Sequence, residues 1–243
     1  MIKGIYTSAS GMIPRVRKQE IIANNISNAK TVGFKKDTTF TRELSRAERK
    51  QMPKQSDWET PMLHDVFVDF SAGMFDKTGN PLDLAIDGDG FFTVQAEDGT
   101  TYLTRAGTFE VNAQGQLAFP NGMLLVSNGG AIDVGDGQVS VGEDGSVDVD
   151  GSTVGRITPM TVDDLTQLEK AGDSMFLVPE GTELTAATNS SIRQGYLEEA
   201  NVDIVREMVD MIITYRTFEA NAKALQSQDN SLDNLFRRVA SNG

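Results

Sequence analysis

The chain contains no cysteine. That absence removes disulfides, thiolate metal ligands and thiol nucleophiles together. Histidine is almost as scarce, so His64 alone would have to support any imidazole chemistry. It lies in a stretch without periodic patterning and reads as a solvated loop side chain. Positive charge is also in short supply, with 22 Lys and Arg against 35 Asp and Glu, a net charge of -13 and a pI near 4.5. Phosphate contact needs clustered cations, so nucleic acid and anionic membranes are poor partners. The bases that do cluster (Lys35, Lys36, Arg42, Arg46, Arg49, Lys50 and Lys54) are interrupted by Glu and Asp and read as a solvated segment.

No apolar run approaches the roughly 18 residues that span a bilayer, so no membrane insertion is expected. The stretch Met1 to Ile13 has neither a continuous apolar h-region nor a small-residue cleavage site. A cleavable signal peptide is therefore not expected. Asp87-Gly-Asp-Gly-Phe-Phe92 lacks the Lys and Ser/Thr of a phosphate-cradling loop. The clusters Asp83, Asp87, Asp89 and Asp144, Asp148, Asp150 miss the bidentate Glu that closes a calcium loop, and turn formation explains them better. No catalytic residue, metal site or cofactor is expected.

What remains is a chain of 243 residues with ordinary hydrophobic content (39%), long enough for one large or two modest cores. It divides into a helical end, a Gly- and Asp-rich middle and a second helical end. In the first, Ile2, Ala9, Val16 and Ala23 recur every seven residues, with Ile5, Met12 and Ile26 as the partner row and Gln19 as its polar member. That is an a/d seam. Pro14 removes a helical hydrogen bond, so the helix either kinks near Gly11–Pro14 or begins there. It should stop by Gly33. The second seam is longer: Met211, Phe218, Leu225, Leu232 and Val239 at strict sevens, beside Met208, Tyr215, Ala222 and Phe236, with Asp229 as the break. From Asp203 to Val239 no Gly or Pro intervenes, which makes a helix of about 55 Å. Val205, Val209, Ile212 and Ile213 widen the stripe in its first half, so that half should meet more than one neighbour.

The middle alternates short strand-like runs (Phe91 to Gln95, Tyr102 to Thr104, Thr108 to Val111, Gln116 to Phe119, Met123 to Val126, Val139 to Val141, Ser146 to Val149) with Asp-Gly and Asn-Gly turns. The fold class expected is α+β: long N- and C-terminal helices packed together as a helical, coiled-coil domain, with an inserted antiparallel all-β middle domain. The domains are residues 1–33 (N-terminal helix), 34–80 (extended connector), 81–195 (β-rich) and 196–243 (C-terminal helix).

Specific motifs then accumulate. Ala23-Asn-Asn-Ile-Ser-Asn-Ala-Lys-Thr-Val-Gly-Phe-Lys35 resembles the N-terminal signature of the bacterial flagellar axial proteins, the rod and hook family. Leu82-Asp-Leu-Ala-Ile-Asp-Gly-Asp-Gly-Phe-Phe92 with Tyr102-Leu-Thr-Arg-Ala-Gly-Thr-Phe109 resembles its central block, and Gly195-Tyr-Leu-Glu-Glu-Ala-Asn-Val-Asp203 its C-terminal block. The blocks occur in the family's order. Larger hook members carry extra middle domains for which this chain has no room, so the resemblance is to basal-body rod proteins. The opening Gly4-Ile-Tyr-Thr-Ser-Ala-Ser-Gly-Met12 is most like the proximal-rod member, with the distal-rod member as the alternative.

The resemblance implies a structural subunit of the rod that polymerises through its terminal helices into the drive shaft of flagellum-dependent motility. Expected partners are other copies of itself, other rod proteins and the flagellar type III export apparatus, which would place it in the periplasm-spanning rod. Helix packing is assigned to Ile2, Ile5, Met12, Val16, Ile26, Met208, Met211, Ile212, Tyr215, Phe218, Leu225, Leu232, Phe236 and Val239. The family motif is carried by Asn24, Asn25, Asn28, Gly33, Phe34, Gly88, Gly90, Phe91, Gly195, Asn201 and Val202. Two other function classes compete: a carboxylate-pair hydrolase acting on peptidoglycan, which needs an acidic cleft, and an adhesin-like module whose helices merely oligomerise it.

Overall fold

Alternating apolar residues and tight turns dictate local structure through the middle of the chain. The computed structural model describes residues 2–41, 63–127, 130–179 and 181–241. Two compact units emerge, interleaved in sequence: a helical unit (Met1–Ser27, Asp37–Asp69, Asp203–Gly243) and a β unit (Asn28–Lys36, Phe70–Val202). The acidic excess is carried wholly by the β unit, which has 21 acids against 8 bases, whereas the helical unit has 14 of each.

In the β unit every ladder among the described residues is antiparallel. The largest sheet runs, edge to edge, Glu169–Gly172, Met175–Leu177, Thr101–Thr104, Phe92–Gln95, Leu124–Ser127, Leu117–Ala118 and Glu110–Val111. Gly130–Ala131 pairs with Leu124–Ser127 as well. Val139–Val141, Ser146–Val149 and Ser152–Arg156 form a second, three-stranded sheet. Leu84–Gly88 pairs with Ser190–Gln194, and Phe75–Lys77 with Tyr196–Glu198, so the start and the end of the unit are stitched together. Phe92, Val94, Leu103, Leu125 and Ile86 are fully buried, each contributing about 1.5–3 kcal/mol by leaving water. Phe92 meets Phe109 edge-on at 5.3 Å.

The turns follow the Asp-Gly chemistry. At Asp144-Gly145 the Asp144 carboxylate accepts from the Ser146 amide at 3.1 Å and its hydroxyl at 2.7 Å. Gly145 has φ 82°, and a Cβ there would lie 2.0 Å from the Ile157 carbonyl oxygen. Other acids of the sequence clusters are engaged by protein groups too: Asp83 accepts from Asn80, Asp148 from Thr153, Asp150 from the Gln138 amide, and Asp87 pairs with Arg193.

The helical unit contains α1 (Ile2–Ser27) and α2 (Ile204–Ser241), which pack against each other. Helix α1 runs through Pro14 and does not begin there. It ends at Ser27, before Gly33. Two strands, Asp37–Thr41 and Leu63–Val68, pair within the segment read as a connector. Residues 42–62, with most of the basic cluster, lie outside the described residues.

The expected fold class is corrected here. Among the described residues there are only two α-helices, nearly all the other elements are short β-strands arranged in sheets, and the helices do not pack as a coiled coil. A coiled coil buries its a and d residues. Instead Val16, Met208 and Tyr215 are exposed, and burial in α1 centres on Ile21, Ile22 and Asn25, beside the heptad rows. Spacing of seven identified apolar helical faces, and those faces are only partly covered in a single chain.

Candidate assembly surface and motif junction

Helix α2 starts where its cap allows. The Asp203 carboxylate accepts from the amides of Val205 at 3.0 Å and Arg206 at 3.1 Å, satisfying two otherwise unpaired donors. Beyond the cap the first half of the helix is apolar on more than one side. Val205 is 71% exposed, and Met208, Val209, Ile212, Ile213 and Tyr215 are each about half exposed. Of that stretch Thr214 is buried, and Met211 and Phe218 are half-buried. On α1, Ile13 and Val16 are exposed, while Met12 and Ile26 are half-buried. Between the helices an open groove of about 520 Å³ is lined by Gln19, Ala23, Met211, Ile212, Tyr215, Arg216 and Glu219. Ala222 and Leu225 line a second, of about 440 Å³. The side chains of Ile2, Ile5, Leu232, Phe236 and Val239 lie outside the described residues. No helix among the described residues is long and apolar enough to cross a membrane.

The motif residues divide between two tasks. Asn25, buried in the helical unit, uses its amide as a piece of backbone: it donates to the Asp37 carbonyl at 2.9 Å and accepts from the Asp37 amide at 2.9 Å. That ties the end of α1 to the first strand. Asn24, beside it on α1, is exposed, and the others gather in the β unit. Asn28 accepts from the Thr31 amide and hydroxyl, turning the chain. Gly33 has φ 66°, and a Cβ there would lie 2.2 Å from the Ala106 amide nitrogen, so only glycine fits. Phe34 is buried under the Lys170 ammonium, which sits 4.4 Å over its ring. The Asn201 side chain accepts from the Lys36 amide at 2.8 Å and donates to the Ser71 carbonyl at 3.1 Å. Val202, half-buried, follows it.

At the centre lie three charges that sequence reading did not assign to the motif. Glu198 is fully buried. One of its oxygens accepts from the Lys35 ammonium at 2.6 Å and the Gly73 amide at 2.9 Å; the other accepts from Arg105 at 3.2 Å. Lys35 also donates to the Ser71 carbonyl at 2.7 Å, and Arg105 to the carbonyls of Ile86 at 3.2 Å and Gly88 at 2.8 Å. Lys35 is therefore not part of a solvated run: it is 1% exposed. The available signal was position, since each of these charges lies inside one of the three motif blocks.

Gly88 ends the strand Leu84–Gly88 beneath Arg105 and Gly90 follows it, hard against Asn189 and Ala187 respectively. Phe91 stacks edge-on with Phe70 at 5.6 Å and Phe176 at 5.8 Å, and Arg105 lies 5.3 Å over its ring. The Gly195 carbonyl accepts from the amides of Thr78 and Gly79, and its own amide donates to Asp83. The three blocks, distant in sequence, thus supply one buried junction.

Comparison with known proteins gives the same three blocks. Family profiles described as flagella basal body rod protein, flagellar hook protein FlgE/F/G D1 domain and flagellar basal body rod FlgEFG protein C-terminal match residues 5–35, 85–149 and 193–238. The flagellar basal-body rod protein FlgF of Caulobacter vibrioides is 36% identical over 230 residues, covering 93% of this chain and 94% of that protein. The flagellar basal-body rod protein FlgG of Bacillus subtilis is 33% identical over 260 residues, covering 97% and 98%. The flagellar hook-basal body complex protein FlhO of Bacillus subtilis is 31% identical over 268 residues, covering 98% and 99%. With its blocks in order and relatives aligned over nearly their whole length, the chain belongs to the flagellar basal-body rod protein family.

Proposed function

We propose that the chain is a structural subunit of the flagellar rod that polymerises through the apolar surface of its terminal helices, at the proximal end of the shaft. The observation that carries this is the exposed face of α2 from Val205 to Tyr215. A monomer seldom leaves so much contiguous aliphatic surface in water; a subunit that will be surrounded does. The charge distribution agrees. The helical unit, with acids and bases in balance, can be packed without self-repulsion, and the acidic β unit is suited to the outside of a tube. A head-to-tail contact that does not close generates such a tube. The helical unit, with α1 and α2, then supplies the contacts between subunits. The helix-packing residues named from the sequence are the ones that neighbouring copies would cover.

The proximal position is supported by the opening Gly4 to Met12, which is most like the proximal-rod member. On this reading the protein has no catalytic role, passes through the flagellar type III apparatus, and works in the periplasm-spanning rod beside other rod proteins. The test is complementation of a strain lacking the chain. Ile212→Asp should fold normally, keep its β unit intact and fail to restore rods or swimming. Full restoration by Ile212→Asp, together with Ile213→Asp, would overturn the proposal.

A further inference from the structure

Residues 28–36 belong to the β unit but are flanked on both sides in sequence by the helical unit, so this segment is lent by one unit to the other. Its contacts have the form of a bound peptide. Backbone groups are read one after another: the Gly33 amide donates to the Glu198 carbonyl at 2.7 Å, the Phe34 carbonyl accepts from the Asn201 amide at 3.4 Å, the Lys35 carbonyl accepts from Lys170 at 2.6 Å, and the Lys36 amide donates to the Asn201 side chain at 2.8 Å. Side chains supply identity. Position 33 excludes a Cβ, position 34 places a ring under the Lys170 ammonium, and position 35 buries an ammonium against Glu198. Main-chain hydrogen bonds for affinity with pockets for alternate side chains is the logic of extended-peptide recognition.

The receiving surface is built without the segment. Arg105 is anchored by the Ile86 and Gly88 carbonyls, and Glu198 by Arg105 and the Gly73 amide. Glu198 thus keeps two donors when Lys35 leaves. We propose that the β unit carries a receptor for the extended sequence Val-Gly-Phe-Lys-Lys, filled here by the chain's own Val32 to Lys36 and able to take the same segment from a second copy. Exchange of an identical element between copies needs no new surface, because each contact is already present within one chain.

Two measurements test this on the full chain. In Gly33→Val the chain's own segment is excluded by the 2.2 Å approach to Ala106, which leaves the receptor open. A labelled peptide of residues 28–36 should bind this variant, bind the unaltered chain at least tenfold more weakly, and lose tenfold or more when its Lys35 is replaced by Met, the loss expected for a hydrogen-bonded charge. A folded Gly33→Val that takes up no peptide overturns the proposal. Native-state hydrogen exchange on the unaltered chain provides a reading that does not depend on the variant folding. The Gly33 and Lys36 amides should exchange through an opening that leaves Leu103 and Val94 protected. If they exchange only with the sheet core, the segment is an inseparable part of the β unit and the receptor reading is wrong.

Discussion

Removing the Glu198 carboxylate should be among the most damaging single changes available in the β unit. Glu198→Ala leaves the Lys35 ammonium and the Arg105 guanidinium buried, at 1% and 6% side-chain exposure, without the anion they share. It also strips the Gly73 amide of its acceptor. Breaking a buried, hydrogen-bonded charge pair from one side costs about 3–5 kcal/mol, because the remaining charge stays desolvated. Domains have about 5–15 kcal/mol in total. With a urea slope of about 2 kcal/mol per molar, the midpoint followed by circular dichroism should fall by roughly 1.5–2.5 M. A surface pair gives the contrast: Arg156 and Asp144 are 62% and 57% exposed, and Arg156→Ala should cost no more than about 1 kcal/mol. The double variant Lys35→Met, Glu198→Gln should lose less than its two single changes combined, since each removes what the other leaves unpaired. A loss below about 1 kcal/mol for Glu198→Ala would refute the reasoning and mean that water reaches the cluster.

Other outcomes follow from the same contacts. Asn25→Ala deletes both hydrogen bonds to Asp37 and should cost the helical unit about 2 kcal/mol, read as an earlier thermal loss of helical signal; an unchanged melt would count against the backbone-mimic role. Asp203→Ala removes the α2 cap and should cost about 1 kcal/mol, largely recovered by Asp203→Asn or Asp203→Ser. Hydrogen bonds from Thr100, Ser146 and Thr166 hold the carboxyls of Asp98, Asp144 and Asp164 below their ordinary value of 3.8. Depressed in the fold, these groups stabilise it fully above pH 3.8, and that contribution is lost as pH falls through their folded pKa values. Carboxyl NMR titrations should give midpoints under 3.8, and midpoints at or above it would contradict the turn geometry.

Turns and strands of the middle region were legible because they are local: Asp144-Gly145-Ser146 makes its turn from its own atoms, and the Phe92, Val94 alternation needs only a two-sided sheet. Apolar helical faces were legible for the same reason. What covers them was not. A seven-residue repeat states that Met208 and Tyr215 want a neighbour; it does not say whether that neighbour is α1 of the same chain or another copy, and the coiled-coil expectation chose wrongly. The strands Asp37–Thr41 and Leu63–Val68 escaped notice because they pair across a long interval with a register shift between Thr39 and Phe40. Lys35 was misjudged because charge in a run resembles a solvated face until its partner is known. That partner, Glu198, is 163 residues away.

The central claim is that this chain is built into the rod through its helices. Electron microscopy of purified basal bodies, with a label carried on an exposed turn of the β unit such as Asp98-Gly99, tests it most directly. Labels ringing the outside of the proximal rod are predicted, with rods missing when α2 carries Ile212→Asp. Basal bodies that hold no label, or complete rods formed without the chain, would contradict the account.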